Sequence, residues 1–142
     1  VPTLRKFVQD FEERTRIRAV FETVGKEKRL PSAMEAALFR LVQEAFNNAL
    51  KHAQATYMSL EIAFREDTVE LTVGDNGVGF NLDAVVAKAR YDSRFGIIGM
   101  KERVELMQGK IDIKSAKGQG TKLNIEVPIK ADPGKELIVS GD

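Results

Sequence analysis

The sequence predicts an α+β fold, a two-layer α/β sandwich in which helices cover one face of a mixed, mostly antiparallel sheet. Two observations carry this prediction. Strand-like segments of alternating hydrophobicity occur in two neighbouring pairs, each joined by a short turn, which predicts two hairpins. One long segment, from Ser32 to about Ala53, has apolar residues at helical spacing, which predicts a helix packed against the sheet.

The first half of the chain contains a short helix, a strand and the long helix. Apolar residues recur at helical spacing from Leu4 to Phe11, so a short amphipathic helix is expected there. The segment from Arg16 to Val24 is rich in β-formers and predicts a strand. Pro31 suits the first turn of the long helix.

Residues 58–75 predict the first hairpin, with a tight turn at Glu66-Asp67. Residues 81–98 predict a lid, because loops of this length in a compact domain are usually functional or disordered. Asp83 to Arg90 could form a short helix within it. A helix from about Met100 to Met107 is expected to follow.

Residues 110–129 predict the second hairpin, around a glycine-rich turn. Pro133-Gly134 would interrupt any further element, so residues 131–142 are expected to be a tail. We therefore expect one domain over residues 1–130.

Composition excludes several classes of function. The chain has 142 residues, 43% hydrophobic and 30% charged, as in ordinary globular proteins, and its net charge of +1 gives no sign of nucleic-acid binding. The absence of cysteine excludes disulfides, zinc–thiolate sites and thiol catalysis, and a single histidine, His52, excludes multi-histidine metal sites. No apolar run or signal peptide predicts membrane contact. Because the chain starts at Val1 rather than Met, we interpret it as part of a longer protein.

The most informative motif is Asp-x-Gly-x-Gly at the end of a predicted strand. Side chains alternate along a strand, so a strand that buries Val69, Leu71 and Val73 also points Asp75 towards the interior. A carboxylate there has to be hydrogen-bonded, because an uncompensated buried polar group costs roughly 2–7 kcal/mol. The motif predicts a carboxylate that binds a polar ligand beside a glycine-lined opening. A hairpin turn is the alternative, since Asp-Asn-Gly is also typical of turns.

The long helix carries a polar stripe along the flank of its apolar face. At about 100° per residue, Glu44, Asn48, Lys51 and His52 fall on one side, whereas Asn47 points to solvent. Such a stripe suits a metal–phosphate group. Asn48 could ligate Mg²⁺, Lys51 and His52 could contact phosphate oxygens, and Glu44 could accept a proton or hold a metal-bound water. An ordinary solvated helix flank is the alternative.

Two further glycine-rich segments are ambiguous taken singly. Gly96 and Gly99 precede a predicted helix whose exposed N–H groups would favour an anion. Gly118-Gln119-Gly120 reads as a hairpin turn, and the Thr121 hydroxyl could reach a ligand if its strand neighbours Asp75.

In this order and spacing, the motifs resemble the ATP-binding domain of bacterial sensor histidine kinases, over about residues 4–129. The segment LVQEAFNNALKH (41–52) is similar to the N box, DNGVG (75–79) to the G1 box, FGIIGMKER (95–103) to the lid end and G2 box, and GQGT (118–121) to the final glycine box. The subgroup that pairs with helix-turn-helix response regulators is the most similar. The wider group, with the Bergerat or GHKL fold, includes type II topoisomerases, heat-shock chaperones and mismatch-repair ATPases.

The resemblance implies a role for each matching position. Asp75 would bind the adenine amine, Gly77 and Gly79 would make room for base and ribose, and Thr121 would order the adenine pocket. On the phosphate side the resemblance implies Mg²⁺ on Asn48 and phosphates near five further residues, Lys51, His52, Gly96, Gly99 and Met100. Glu44 stands where the topoisomerase and chaperone relatives carry a water-activating glutamate.

The implied function is an Mg-ATP-binding catalytic domain that donates the γ-phosphoryl group to a histidine in two-component signal transduction. The receiving histidine would lie on separate dimerisation and phosphoacceptor helices, because His52 lies inside the N box. A response regulator would be an indirect partner. This segment alone would be a cytoplasmic monomer that does not phosphorylate itself. The alternatives are a conformational ATPase that hydrolyses ATP and an anti-sigma-factor serine kinase.

Overall fold

A computed structural model describes residues 1–79 and 97–129. The lid as far as Gly96 and the tail after residue 130 lie outside the described residues. The elements, in chain order, are α1 (Pro2–Thr15), β1 (Arg18–Val24), α2 (Ser32–Asn48), a π-helical turn (Ala49–Ala53), β2 (Tyr57–Phe64), β3 (Thr68–Asp75), α3 (Ile97–Leu106), β4 (Lys110–Ser115) and β5 (Thr121–Pro128).

The five described strands form one mixed sheet in the order β1-β2-β3-β5-β4. The β1–β2 pair is parallel and the other three pairs are antiparallel, as the sequence predicts. Helix α2 makes the crossover that a parallel pair needs. The hairpins β2–β3 and β4–β5 are both present, and β5 lies between β3 and β4.

The core lies between the helices and one face of the sheet. Val69, Leu71 and Val73 are buried on that face, so the predicted phase of β3 is confirmed. Helix α1 packs through aromatic rings, and the Phe11 and Phe46 rings meet edge to face with 5.0 Å between centroids. No helix in the described part of the chain is long and apolar enough to cross a membrane.

Two boundaries in the first half differ from prediction. Helix α1 is longer than expected, and it ends at Thr15, followed by the capping residue Arg16, whose φ of 62° is left-handed. The strand therefore starts at Arg18 rather than Arg16. The long helix is α-helical only to Asn48 and continues as a π-helical turn, with the Ala49 N–H shared between the carbonyls of Ala45 and Phe46.

Helix α3 starts earlier than predicted, at Ile97 rather than about Met100. Met100 and Val104 are one helical turn apart and only 3% and 0% exposed. Burial of the helix face that they share favours a helical conformation in the first turn, which contains Met100. The expectation that Gly99 precedes the helix is therefore wrong, because Gly99 lies in its first turn.

Candidate active site

The ends of strands β2, β3 and β5 and the end of one helix lie near the same edge of the sandwich. Asp75, the last residue of β3, pairs with Thr121, the first residue of β5, and with Met58 near the start of β2. Only residues 54–56 connect the π-helical turn to β2. Since three residues span little more than about 10 Å, the end of α2 has to lie close to this edge. The topology thus brings the Asp75 motif and the polar end of α2 together.

The Asp75 carboxylate is partly buried on the helix-covered face and is hydrogen-bonded, as the sequence predicts. The Gly77 N–H donates to Oδ1 at 2.8 Å. Burial raises the pKa of Asp75 above its usual value, and hydrogen bonds with the backbone of Gly77 and Thr121 lower it in part. A carboxylate offers about four acceptor positions, so two backbone donors leave capacity for a ligand amine.

Asn76 shows why the hairpin-turn alternative fails for this motif. Its Oδ1 accepts the backbone N–H groups of Thr56 and Tyr57 at 2.9 and 3.0 Å, and its Nδ2 donates to the Thr56 hydroxyl at 2.9 Å. The strands that pair with β3 are β2 and β5, so the motif does not turn β3 back into a hairpin partner. Asn76 instead fastens the loop after β3 to the start of β2, a role that the sequence analysis missed.

Two glycines allow the loop after β3 to contact the β4–β5 turn closely. Gly120 has a φ of +73°, and a Cβ there would lie 2.2 Å from the Asp75 carbonyl oxygen. Gly79 has a φ of +67°, and its Cβ would lie 2.1 Å from the Ala116 carbonyl oxygen. Both positions therefore require glycine for backbone packing. Gly120 is absent from the predicted site residues, although its place in the final glycine box was a signal for it.

Thr121 satisfies the condition on which its predicted role depended, because its strand is the direct neighbour of Asp75. Its hydroxyl lies 2.9 Å from the Ser115 hydroxyl across the β4–β5 pair. Gly77 is buried beneath the carboxylate that its N–H contacts. The predicted roles of Gly77, Gly79 and Thr121 towards adenine and ribose stay predictions.

The helix side of the site agrees with prediction as far as Asn48. Asn48 is partly buried and Asn47 exposed, as the helical phase predicts. Lys51 is exposed within the π-helical turn. A π-helix advances by less than 100° per residue, so extending the stripe to Lys51 and His52 at constant α-helical phase was wrong.

Three predicted phosphate-side residues are placed differently or not described. The His52 side chain and Gly96 lie outside the described residues. Met100 is buried in the core, only 3% exposed, rather than facing an opening. The proposed phosphate roles of these residues stay predictions.

Glu44 is engaged by a residue that the sequence analysis did not single out. Its Oε2 lies 2.9 Å from Nη1 of Arg103, which joins α2 to α3. The sequence signal was the Glu-Arg pair that ends the lid-end motif, where only the glycines and Met100 were assigned roles.

A cavity of about 670 Å³ also reaches this edge of the sheet. Its lining includes Ser59, Thr72 and Lys122, whose side chains alternate with the buried ones. The lining also includes Asp75, Asn76, Gly120 and Thr121, so the cavity reaches residues of the candidate site.

The fold and this edge define an ATPase of a particular class. Residues 33–131 match the family described as "Histidine kinase-, DNA gyrase B-, and HSP90-like ATPase". The match covers more than half of the chain and includes the segments of Asn48, Asp75 and Thr121. The chain therefore belongs to this family, as the ATP-binding catalytic domain of a histidine kinase.

Two proteins of similar sequence are named as histidine kinases, in agreement with the family match. The chain is 41% identical over 132 residues to the signal transduction histidine-protein kinase/phosphatase DegS of Bacillus subtilis, covering 91% of this chain and 34% of the relative. It is 39% identical to DegS of Brevibacillus brevis, covering 93% and 33%. The chain thus spans about a third of the length of these relatives.

A solved structure supports the fold alone. The histidine kinase domain of a blue-light activated kinase from Erythrobacter litoralis superposes with a TM-score of 0.67 at 19% identity, covering 89% of this chain and 59% of that one.

Proposed function

We propose that this domain binds Mg-ATP and donates its γ-phosphoryl group to a histidine on the dimerisation and phosphoacceptor helices of the parent kinase. From there the phosphoryl group would pass to a response regulator. One observation carries the proposal, the partly buried Asp75 carboxylate at the edge where the end of α2 meets the sheet. An inward acceptor of this kind suits the exocyclic amine of adenine. The domain would act in the cytoplasm.

The donor set suits a magnesium ion that arrives with the nucleotide. No group of three His, Asp or Glu residues in the described ranges is arranged to hold a metal. Mg²⁺ commonly keeps several waters and binds through one or two protein oxygens together with phosphates. The Asn48 amide oxygen would hold it, and the ion would offset the phosphate charge during transfer. Lys51 and His52 would contact phosphate oxygens, and the domain's contribution would be positioning.

The conformational ATPase alternative would use Glu44 to activate water. Arg103 contacts Oε2 of Glu44 at 2.9 Å and leaves the other oxygen for a water, so labelling of the phosphoacceptor helices is what separates the two functions. The anti-sigma serine kinase alternative gains no support from any described contact.

The test uses the 142-residue chain, radiolabelled ATP and separately expressed phosphoacceptor helices of the parent protein. We expect label on the helices only when the chain, ATP and Mg²⁺ are all present. A control with the receiving histidine replaced by glutamine should take up none. Release of phosphate without labelled helices would favour the hydrolytic ATPase instead.

A further inference from the structure

The contact between Glu44 and Arg103 is more buried at its centre than the exposure of the two side chains suggests. The side chains are 36% and 33% exposed, but Oε2 of Glu44 and Nη1 of Arg103 have almost no solvent access. Within the described part of the chain neither atom has a well-aligned hydrogen bond, so the 2.9 Å ion pair is what offsets their desolvation.

Arg103 is held in place by its own helix. It directly precedes Val104, and Met100 lies one turn earlier, with both of these residues buried in the core. These anchors fix α3 against the sheet, so the guanidinium meets α2 from a defined position. The guanidinium of Arg103 is planar and its N–H groups have fixed directions, so it constrains the direction of the Glu44 carboxylate.

Glu44 in turn lies beside the proposed metal ligand. It precedes Asn48 by four residues within the α-helical part of α2, and side chains at this spacing are neighbours on one face. Because Oε2 of Glu44 contacts Arg103, the other carboxylate oxygen of Glu44 is restricted in its direction. This oxygen is about one helical turn from the Asn48 amide.

We propose that Arg103 is a positioning residue that acts through Glu44. By holding Oε2, it directs the other Glu44 oxygen to accept a hydrogen bond from a water of the Mg-nucleotide bound at Asn48. The proposal rests on the proposed function and adds a residue to it. It assigns Glu44 an orienting role, in which Arg103 contributes to the affinity for Mg-ATP without contacting nucleotide.

The test is a double-mutant cycle of Arg103→Gln and Glu44→Gln in the 142-residue chain. Titration calorimetry measures the affinity for ATP with Mg²⁺ and for ATP with EDTA, and thermal unfolding measures Tm. Each single variant should bind Mg-ATP about tenfold more weakly, the size of one lost charge-assisted hydrogen bond, with metal-free ATP changed by less than about twofold. The double variant should bind Mg-ATP no more weakly than Glu44→Gln alone, because Arg103 acts through Glu44.

Arg65→Gln is the matched control, because it breaks the 3.7 Å Arg65–Glu70 ion pair beside the β2–β3 turn, at the opposite end of β3 from Asp75. It should leave both affinities unchanged. If Arg103→Gln lowers Tm but leaves both affinities at wild-type values, or weakens them equally, the pair is only a structural link and the proposal is wrong. Additive losses of Mg-ATP affinity would also overturn it, since Arg103 would then act independently of Glu44.

Arg103→Lys keeps the charge without the planar fork, so it covers the case in which the glutamine variants fold poorly. It should keep Tm near wild type and still weaken Mg-ATP selectively, and unchanged Mg-ATP affinity would contradict the proposal. Failure of the proposed function itself is distinguishable, because the wild-type chain would then show no ATP binding or no Mg²⁺ dependence.

Discussion

The two sides of the candidate site are built in different ways. On the sheet side, Asp75 is fixed by strand pairing with β2 and β5 and by the Gly77 N–H. On the helix side, Asn48 is the last residue of α2, and Lys51, which is exposed, follows in the π-helical turn. Strand pairing fixes each residue through partners on both sides, whereas a helix end depends on its own phase and on the side chains that touch it. We expect a preformed adenine side and a phosphate side that depends on metal and nucleotide.

Loss of the Asp75 carboxylate should have the largest effect. Asp75→Asn places an amide donor towards the adenine amine, so ATP should bind roughly 100-fold more weakly, the upper end of about 1–3 kcal/mol for an unmatched buried polar group. Calorimetry with and without Mg²⁺ should show the same loss, because the proposed metal ligand, Asn48, lies on the helix side. Asp112→Asn, an exposed carboxylate on β4, is the control and should bind normally. Wild-type affinity in Asp75→Asn would show that adenine is bound elsewhere.

The backbone contact behind Asp75 should be the next most sensitive feature. Gly120→Ala adds a Cβ 2.2 Å from the Asp75 carbonyl oxygen at a left-handed φ. The free energy of unfolding should fall by about 2 kcal/mol or more, since backbone strain alone costs about 1–3 kcal/mol. Urea unfolding measures the loss.

Gly118→Ala is the matched control for that substitution. Gly118 also has a left-handed φ, +81°, but a Cβ there meets nothing within 4 Å. The free energy of unfolding of Gly118→Ala should therefore fall by only about 1 kcal/mol, the cost of a side chain at a left-handed φ. Equal losses in the two variants would mean that the close approach to Asp75 contributes nothing.

The helix side should show its metal dependence at Asn48. Asn48→Ala should weaken Mg-ATP by about tenfold and metal-free ATP by less than about twofold, because the amide oxygen would bind the ion. Asn47→Ala is the control, as its exposed side chain points away from the site. Equal weakening with and without Mg²⁺ would make Asn48 a direct nucleotide contact and would remove the contrast between the two sides.

The smallest expected effect is a pH dependence of stability on the sheet side. The pKa of Asp75 is raised by burial above its usual 3.8, so the folded state holds this proton more tightly than the unfolded state does. The stability due to Asp75 is fully present below pH 3.8 and is lost as pH rises through the raised pKa. The stability of wild type relative to Asp75→Asn should therefore fall as pH increases from 3.8. Parallel curves of unfolding free energy against pH would contradict the raised pKa.

Much of the sheet side could be predicted from local pattern. A period of two residues places Val69, Leu71, Val73 and Asp75 on one face regardless of what lies beyond, because side chains alternate along any strand. The need to hydrogen-bond an inward carboxylate follows from the cost of burying it. The partners of Asn76 could not be predicted, because Thr56 and Tyr57 are twenty and nineteen residues away in the chain.

The sequence by itself determined the α+β class, the two hairpins, the orientation of Asp75 and, through its ordered motifs, the ATPase family. Periodicity and composition act locally, so they can be read without knowing the fold. Only the tertiary structure decided that α2 ends in a π-helical turn, that Gly79 and Gly120 hold two backbones together and that Arg103 pairs with Glu44. Each of these features depends on a contact between segments distant in the chain or on packing at a helix end, where local preference is weak and the surroundings set the conformation.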